Sequence, residues 1–372
     1  MANTPVASEL EVTKFLSDFF KEFVRGNRFS RYTGTGKNNV ITIKEGRKKI
    51  EVPLINRLSG TGVSGSSTLR GNGEALPNYG YTLTPTYHRN AVEFDREEME
   101  KPNIDLMRAS RESLMDWSME KIRNDDIEAM GAIHDGTTYY NYGDAPLAAD
   151  YDQWASNNDD RVLYGAAVSN YSGVHATDLA KCDTTNDKLT ASAIALMKRM
   201  AKNARPRIKP LKVDDEEEMF VAFCDSFNFA NLKSNLGTFH QNAMPRNRSN
   251  PLWTDADLMY DGVIIREVPE IGDFIDDSFG SDWSSLAVAG ASTTRVSPVF
   301  FCGAQALGYG LGQRPRIIVD RLTDYEFQPG VAVELKHDID KFFFDDNPSG
   351  TSSQHVQHGM VTGFFSAAKD TP

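Results

Sequence analysis

An α+β fold with antiparallel character is what this 372-residue sequence predicts, and three observations carry that prediction. The β-like runs come in clusters and do not alternate with crossover helices, as a parallel sheet would require. One helical pattern, NIDLMRASRESLMDWSMEKIRNDDIEAMGAI, dwarfs its neighbours. Its roughly 27 residues, at about 1.5 Å each, would span about 40 Å. Finally, the stretch GTGVSGSSTLRGNGEALPNYG carries six glycines between two β-like runs, so it reads as the tip of a long hairpin.

The elements follow in order. Ser8 and Glu11 have capping-box spacing, and an apolar stripe follows at Val12, Phe15, Leu16, Phe19, Phe20, Phe23 and Val24 before Gly26 stops it. The stripe can pack on its own domain, on a neighbouring subunit or on a membrane surface. Asn39 to Lys44 and Lys49 to Ile55 read as strands about a turn at Gly46. Beyond the glycine stretch, Tyr81 to His88 and Asn90 to Asp95 are again β-like, with Pro85 confining the first to an edge. A hairpin arm of about eight residues extends roughly 25 Å. With few apolar groups in its middle it must project from the body. An isolated hairpin is marginal in water, so a projecting one implies a partner surface.

Met107, Leu114, Trp117, Met130 and Ile133 give the long helix its spacing, and Gly131 marks its end. The polar, tyrosine-rich stretch from 136 to 188 reads as a surface insertion with long loops. Thr190 caps a helix over ASAIALMKRMAKNA, ended by Pro206. The acidic DDEEE run precedes a strand, MFVAFCDS, then a helix-like FANLKSN, a turn-rich NAMPRNRSNPLW and a strand DGVIIREVPEI. FCGAQALGYGLG reads as a short helix of small residues. IIVDRLTDYEF, GVAVELKHDIDKFFFDD and HGMVTGFFSAA are β-like, and no internal repeat is visible.

Composition narrows the function. A chain of this length suggests two or three lobes and can bury about three quarters of its unfolded surface. With 52 acidic and 40 basic side chains the net charge is −12, which argues against nucleic-acid binding over the whole surface. Enclosing DNA without gripping it stays compatible. The three cysteines, Cys182, Cys224 and Cys302, are far apart, which supports neither a zinc ribbon nor a disulfide framework. Cys224 and Cys302 sit in apolar runs and are expected to be buried. No secretion signal and no membrane-length apolar run is visible, so synthesis in the cytosol is expected.

Chemistry is sought without success. The glycine stretch has no lysine and runs into Pro77, and TGTGKNN has Asn38 after its lysine, so neither is a phosphate cradle. His355 and His358 lack a nearby third metal ligand. DDEEE reads as a solvated face, and DADLMYDG lacks the register of a calcium loop. There is no nucleophile elbow. The sequence therefore predicts no catalytic residue, no cofactor and no metal site.

The order of the elements is similar to that of the major capsid proteins of tailed bacteriophages, the Hong Kong 97-type fold. The resemblance rests on PLINRLSGTGVSG and LRGNGEAL before YHRNAVEF, then RESLMDWSMEKIRNDDI and RPRIKPLKVDDEEEMFVAFCDSFNFANLKSN. It continues in NPLWTDADLMYDGVIIREVPEI, FFCGAQALGYGLGQ, DYEFQPGVAVELKHDIDKFFFDD and HGMVTGFFSAA, covering about residues 10 to 368. It implies an N-terminal arm at 1–38, an extended hairpin loop at 39–100, a peripheral domain at 101–218 with a spine helix and the tyrosine-rich insertion, an axial domain at 219–328, and a return to the peripheral domain at 329–372. It implies a non-enzymatic shell protein of the virion, assembled in the host cytoplasm as pentamers and hexamers around double-stranded DNA. No long coiled-coil segment precedes the arm, so a separate scaffolding protein is expected, with a portal, a possible decoration protein and no membrane partner. Nothing supports a covalent Lys–Asn crosslink. On this reading the glycine stretch is an ordered docking tip, with Arg70 and Glu74 as charged contacts and Phe15, Phe19 and Phe23 as contacts between subunits. Two alternatives are a bacterial nanocompartment shell and a calcium-dependent carbohydrate-active tail enzyme.

Overall fold

The computed structural model of the chain describes residues 24–46, 48–55, 62–73, 78–95, 97, 105–214, 217–243, 257–276, 283–320, 327–345 and 355–369. Phe15, Phe19, Phe23 and Glu74 thus lie outside the described residues.

A helical turn at Ser30–Tyr32 leads into β1 (Thr33–Gly34) and β2 (Ile41–Glu45). The expected hairpin forms: β3 (Ile50–Ile55) and β4 (Asn78–Leu83) pair antiparallel, from Ile50 opposite Leu83 to Ile55 opposite Asn78. Pro85 separates β4 from β5 (Thr86–Glu93), so the boundary falls earlier than the sequence suggested; proline has no N–H to give a ladder. The long helix, α1 (Leu106–Gly131), runs 26 residues to the glycine expected to end it. β6 (Ile133–His134) follows, and β7 (Tyr139–Tyr140), α2 (Ala148–Asn157), β8 (Val162–Tyr164) and α3 (His175–Leu179) lie in the tyrosine-rich segment. α4 (Ala191–Asn203) opens on Thr190, whose Oγ1 accepts the Ala193 N–H at 3.3 Å. After it come β9 (Lys212–Asp214), β10 (Glu217–Cys224), α5 (Ser226–Ala243), β11 (Asp257–Tyr260), β12 (Val263–Glu267) and α6 (Glu270–Asp276). The last strands are β13 (Val296–Cys302), β14 (Leu307–Asp320), β15 (Gly330–Lys341), β16 (Phe343–Asp345), β17 (His355–Gln357) and β18 (Met360–Ser366).

The chain forms two compact units. Residues 28–86, 123–312 and 337–372 build the larger one. Its centre is a sheet of order β11-β12-β10-β13-β18-β8, with β9 on the edge of β10. β13 and β18 are buried along their whole length, as strands covered on both faces must be. One face meets α4 and α5: Ile194, Met197, Leu232 and Leu236 pack on Phe220, Val263, Phe301 and Phe365. On the other side, Phe29 and Tyr32 stand edge-on to Phe223, 4.9 and 5.6 Å between ring centres. The smaller unit contains residues 87–122 and 313–336. There the strands run in the order β14-β15-β5, and Met107, Leu114 and Trp117 of α1 pack against Val92, Val331 and Val333.

Three expectations are corrected. FCGAQALGYGLG is no helix: Phe301 and Cys302 end β13, a turn through Gln305 with φ of 60° follows, and β14 begins at Leu307. Its glycines serve close packing, since a Cβ on Gly308 would lie 2.5 Å from the Phe342 ring and one on Gly303 2.4 Å from the Lys209 carbonyl oxygen. The tyrosine-rich segment is no surface insertion either. β8 pairs with β18 in the main sheet, and Trp154, Tyr164 and His175 are buried. The sheets are also mixed, with parallel pairs at β10–β12, β8–β18 and β2–β14.

Candidate functional site

The β3–β4 hairpin is the element that the body of the larger unit holds at one end only. At its root Leu83 is fully buried, and Tyr81 stands edge-on to Phe342 and Phe344, at 5.5 and 6.3 Å between centres. Two carboxylates of β15 hold the backbone exit. Asp338 Oδ2 accepts the Thr84 N–H at 2.5 Å, and Asp340 Oδ2 accepts the Tyr81 hydroxyl at 3.2 Å. Burial, and then the neighbouring Asp338, push the Asp340 carboxyl up to about 7, although the hydroxyls of Tyr81 and Tyr139 pull the other way. The same burial raises both tyrosine hydroxyls. β14 passes beneath: a Cβ on Gly310 would meet Leu83, Ile50 and Pro85 at 3.2–3.3 Å.

Away from the root the described residues become more exposed. No residue of β3 is fully buried, and Ile55 at its far end is 63% exposed. Gly62, Gly65 and Gly71 adopt φ of 67°, 69° and 91°, and no described residue lies within 4 Å of a Cβ built on any of them. Glycine is required here by backbone conformation, while space is plentiful. The loop still has local order, because the Asn72 N–H reaches the Leu69 carbonyl at 3.0 Å and its Nδ2 the Thr68 carbonyl at 2.8 Å. This turn presents Arg70 to solvent and leaves Leu69 68% exposed. Leu69 was missed because a single apolar residue in a polar stretch has no periodicity. The root carboxylates left a faint signal, the alternation in ELKHDID that turns one strand face polar.

Other candidate chemistry resolves into structure. His355 lies stacked on His134 at 4.0 Å, whereas His358 meets the edge of Phe344, so the two histidines do not converge on one point. In DADLMYDG, Asp261 and Gly262 have φ of 48° and 70° and form a two-residue turn between β11 and β12. Lys198 pairs with the Asp261 carboxylate at 3.1 Å. Both ring nitrogens of buried His175 are engaged, Nε2 with the Tyr142 hydroxyl at 2.9 Å and Nδ1 with that of Tyr164 at 2.7 Å. Burial lowers its pKa to about 3, so it stays neutral and has no nitrogen free to act as a base. The three cysteines are buried and burial raises each thiol, that of Cys182 to about 12. Sequence and geometry thus leave a projecting arm, rooted firmly and open at its tip.

The sequence profile of a family described as phage capsid protein matches residues 3–365. The major capsid protein of Pseudomonas phage KPP25 is 25% identical over 344 residues, which covers 85% of each chain. Among solved structures, the Cyanophage Pam1 capsid asymmetric unit superposes with a TM-score of 0.87 at 32% identity, over 100% of both chains. The capsid of Ralstonia phage GP4 gives 0.69 at 20% identity, again over 100% of both, a likeness of fold.

Proposed function

We propose, from the premise that this chain belongs to the phage capsid protein family and is a major capsid protein with the Hong Kong 97-like fold, that it builds an icosahedral head of pentamers and hexamers around double-stranded DNA. The observation that carries the mode of assembly is the hairpin. Its root is fixed by Leu83, Tyr81, Asp338 and Asp340, while Ile55, Leu69 and Arg70 face solvent further along the arm. Exposed apolar groups on a marginal hairpin are stabilised once a neighbour covers them. The arm therefore docks on the adjacent copy, and Glu74 adds a charged contact beside Arg70. On this reading the segment before Phe29 is an arm that reaches a neighbour through Phe15, Phe19 and Phe23. A separate scaffold guides assembly in the host cytoplasm, and a portal, and in some heads a decoration protein, complete the shell without covalent crosslinks. The nanocompartment and carbohydrate-active alternatives gain no support from the family match.

Electron microscopy of the purified protein, alone and with its candidate scaffold, tests this reading. Closed shells of uniform diameter are expected, and only dispersed monomers under both conditions would overturn it. Replacing Thr61 to Asn72 with a short Gly-Ser turn should leave the thermal midpoint of free subunits nearly unchanged, because loop-closure entropy varies slowly with length. The same variant should fail to form shells.

A further inference from the structure

The open face of the sheet in the smaller unit is sorted by charge along its strands, and we propose that two copies of this chain dock through it face to face about a two-fold axis. This rests on the reading that copies assemble into a shell. Contacts on the face fix its rows. Arg316 Nε and Nη2 lie 2.8 and 2.7 Å from Glu334 Oε1, and Arg89 is among the charges that act on the same carboxylate. One row further, Lys336 Nζ sits 4.7 Å from the centre of the Tyr87 ring. At the opposite end, a Cβ on Gly330 would lie 3.4 Å from Glu93 Cγ.

Strand alternation then completes the pattern across β14, β15 and β5. Arg314 joins Lys336, and Arg316 joins Arg89 about Glu334: four cations against one anion in two rows. The next row is apolar, with Ile318, Ala332 and Ala91. The last row is acidic, with Asp320 and Glu93. The opposite face of this sheet is packed on α1, whereas Arg314, Arg316, Ile318, Asp320, Arg89 and Glu93 are all exposed.

A face that is positive at one end, apolar in the middle and negative at the other complements itself when turned through 180°. That is the requirement for an isologous contact, in which one patch serves both partners. The turn sets the arginine rows of each copy on Asp320 and Glu93 of the other, with the apolar rows meeting near Ala332. Nucleic acid fits less well, since Glu334, Glu93 and Asp320 would repel phosphates and an Ile–Ala–Ala row offers them nothing. Four rows on three strands cover a few hundred Å², below the roughly 800 Å² per partner of a stable independent interface. The contact therefore acts as one of several in a shell, and its charged rows make it salt-sensitive.

Charge exchange tests the proposal. Arg314→Glu/Arg316→Glu and Glu93→Lys/Asp320→Lys should each reduce shell yield at least tenfold while free subunits keep their melting temperature. Mixing the two variants should restore assembly, because each then meets its complement. Ala332→Cys provides a second reading: the native cysteines are buried, so mild oxidation of its shells should give disulfide-linked dimers. If wild-type protein forms no shells, the capsid reading itself fails. If shells form and neither charge variant affects them, this docking alone is overturned. Loss of assembly without rescue on mixing, with Ala332→Cys remaining reduced, would mean that another part of the neighbour, or DNA, covers the face, and would likewise overturn it.

Discussion

At the scale of single residues, Asp340 offers the clearest consequence. Its carboxyl is held near pKa 7 by burial and by Asp338, against an ordinary value of 3.8. The native state therefore keeps a proton that the unfolded chain releases from about pH 4 upward, so this group costs stability as pH rises towards 7. Asp340→Asn removes the titration and can still accept from Tyr81. The variant should match the parent near pH 4 and exceed it at pH 8 by on the order of 2 kcal/mol. Urea melts at pH 4, 6 and 8 measure the difference, and a gap independent of pH would mean that Asp340 is ionised throughout. Buried ion pairs mark the same scale: Arg295 Nη1 lies 2.8 Å from Asp225 Oδ2, with Asp276 3.2 Å from its Nε. Neither pairing was visible in the sequence, since the partners stand far apart along the chain.

At the scale of elements, legibility followed locality. The end of α1 at Gly131, the cap at Thr190 and the β3–β4 pairing were all readable, because each depends on residues close in sequence or on a repeating pattern. FCGAQALGYGLG failed because small residues suit a helix as well as a strand. What decides the matter is Phe342 and the Lys209 backbone pressing on Gly308 and Gly303 from elsewhere in the chain. The tyrosine-rich segment failed because its hydroxyls looked solvated, whereas two of them pair with the ring nitrogens of His175 inside the core, one donating and one accepting. Two elements carry predictions. Replacing Phe15, Phe19 and Phe23 together with Ser should leave the circular dichroism of free subunits unchanged and abolish assembly on size-exclusion chromatography. If the helix belongs to its own core instead, the variant should lose several kcal/mol and become insoluble. For the hairpin tip, amides between Gly62 and Gly73 should exchange freely in subunits and be protected in shells.

At the scale of the whole molecule, the charge of −12 predicts that a shell of this protein would confine DNA by geometry and not by grip. Free subunits should give weak or no shift of double-stranded DNA at physiological salt in a gel assay. Nanomolar binding would contradict a passive container.

The sequence by itself determined the class of fold, the hairpin and the spine helix, because periodicity, turn chemistry and element order are properties of neighbouring residues. The tertiary structure alone decided that the glycine-rich segment after β13 is a strand and that the tyrosine-rich segment supplies β8. It also decided that Asp338 and Asp340 clamp the hairpin exit and that charges on β14, β15 and β5 line up in rows. The β8–β18 and β15–β5 pairings and the hairpin clamp join residues more than a hundred positions apart. Burial, pKa and charge rows are set by what lies across a sheet, and no local pattern encodes the identity of that neighbour.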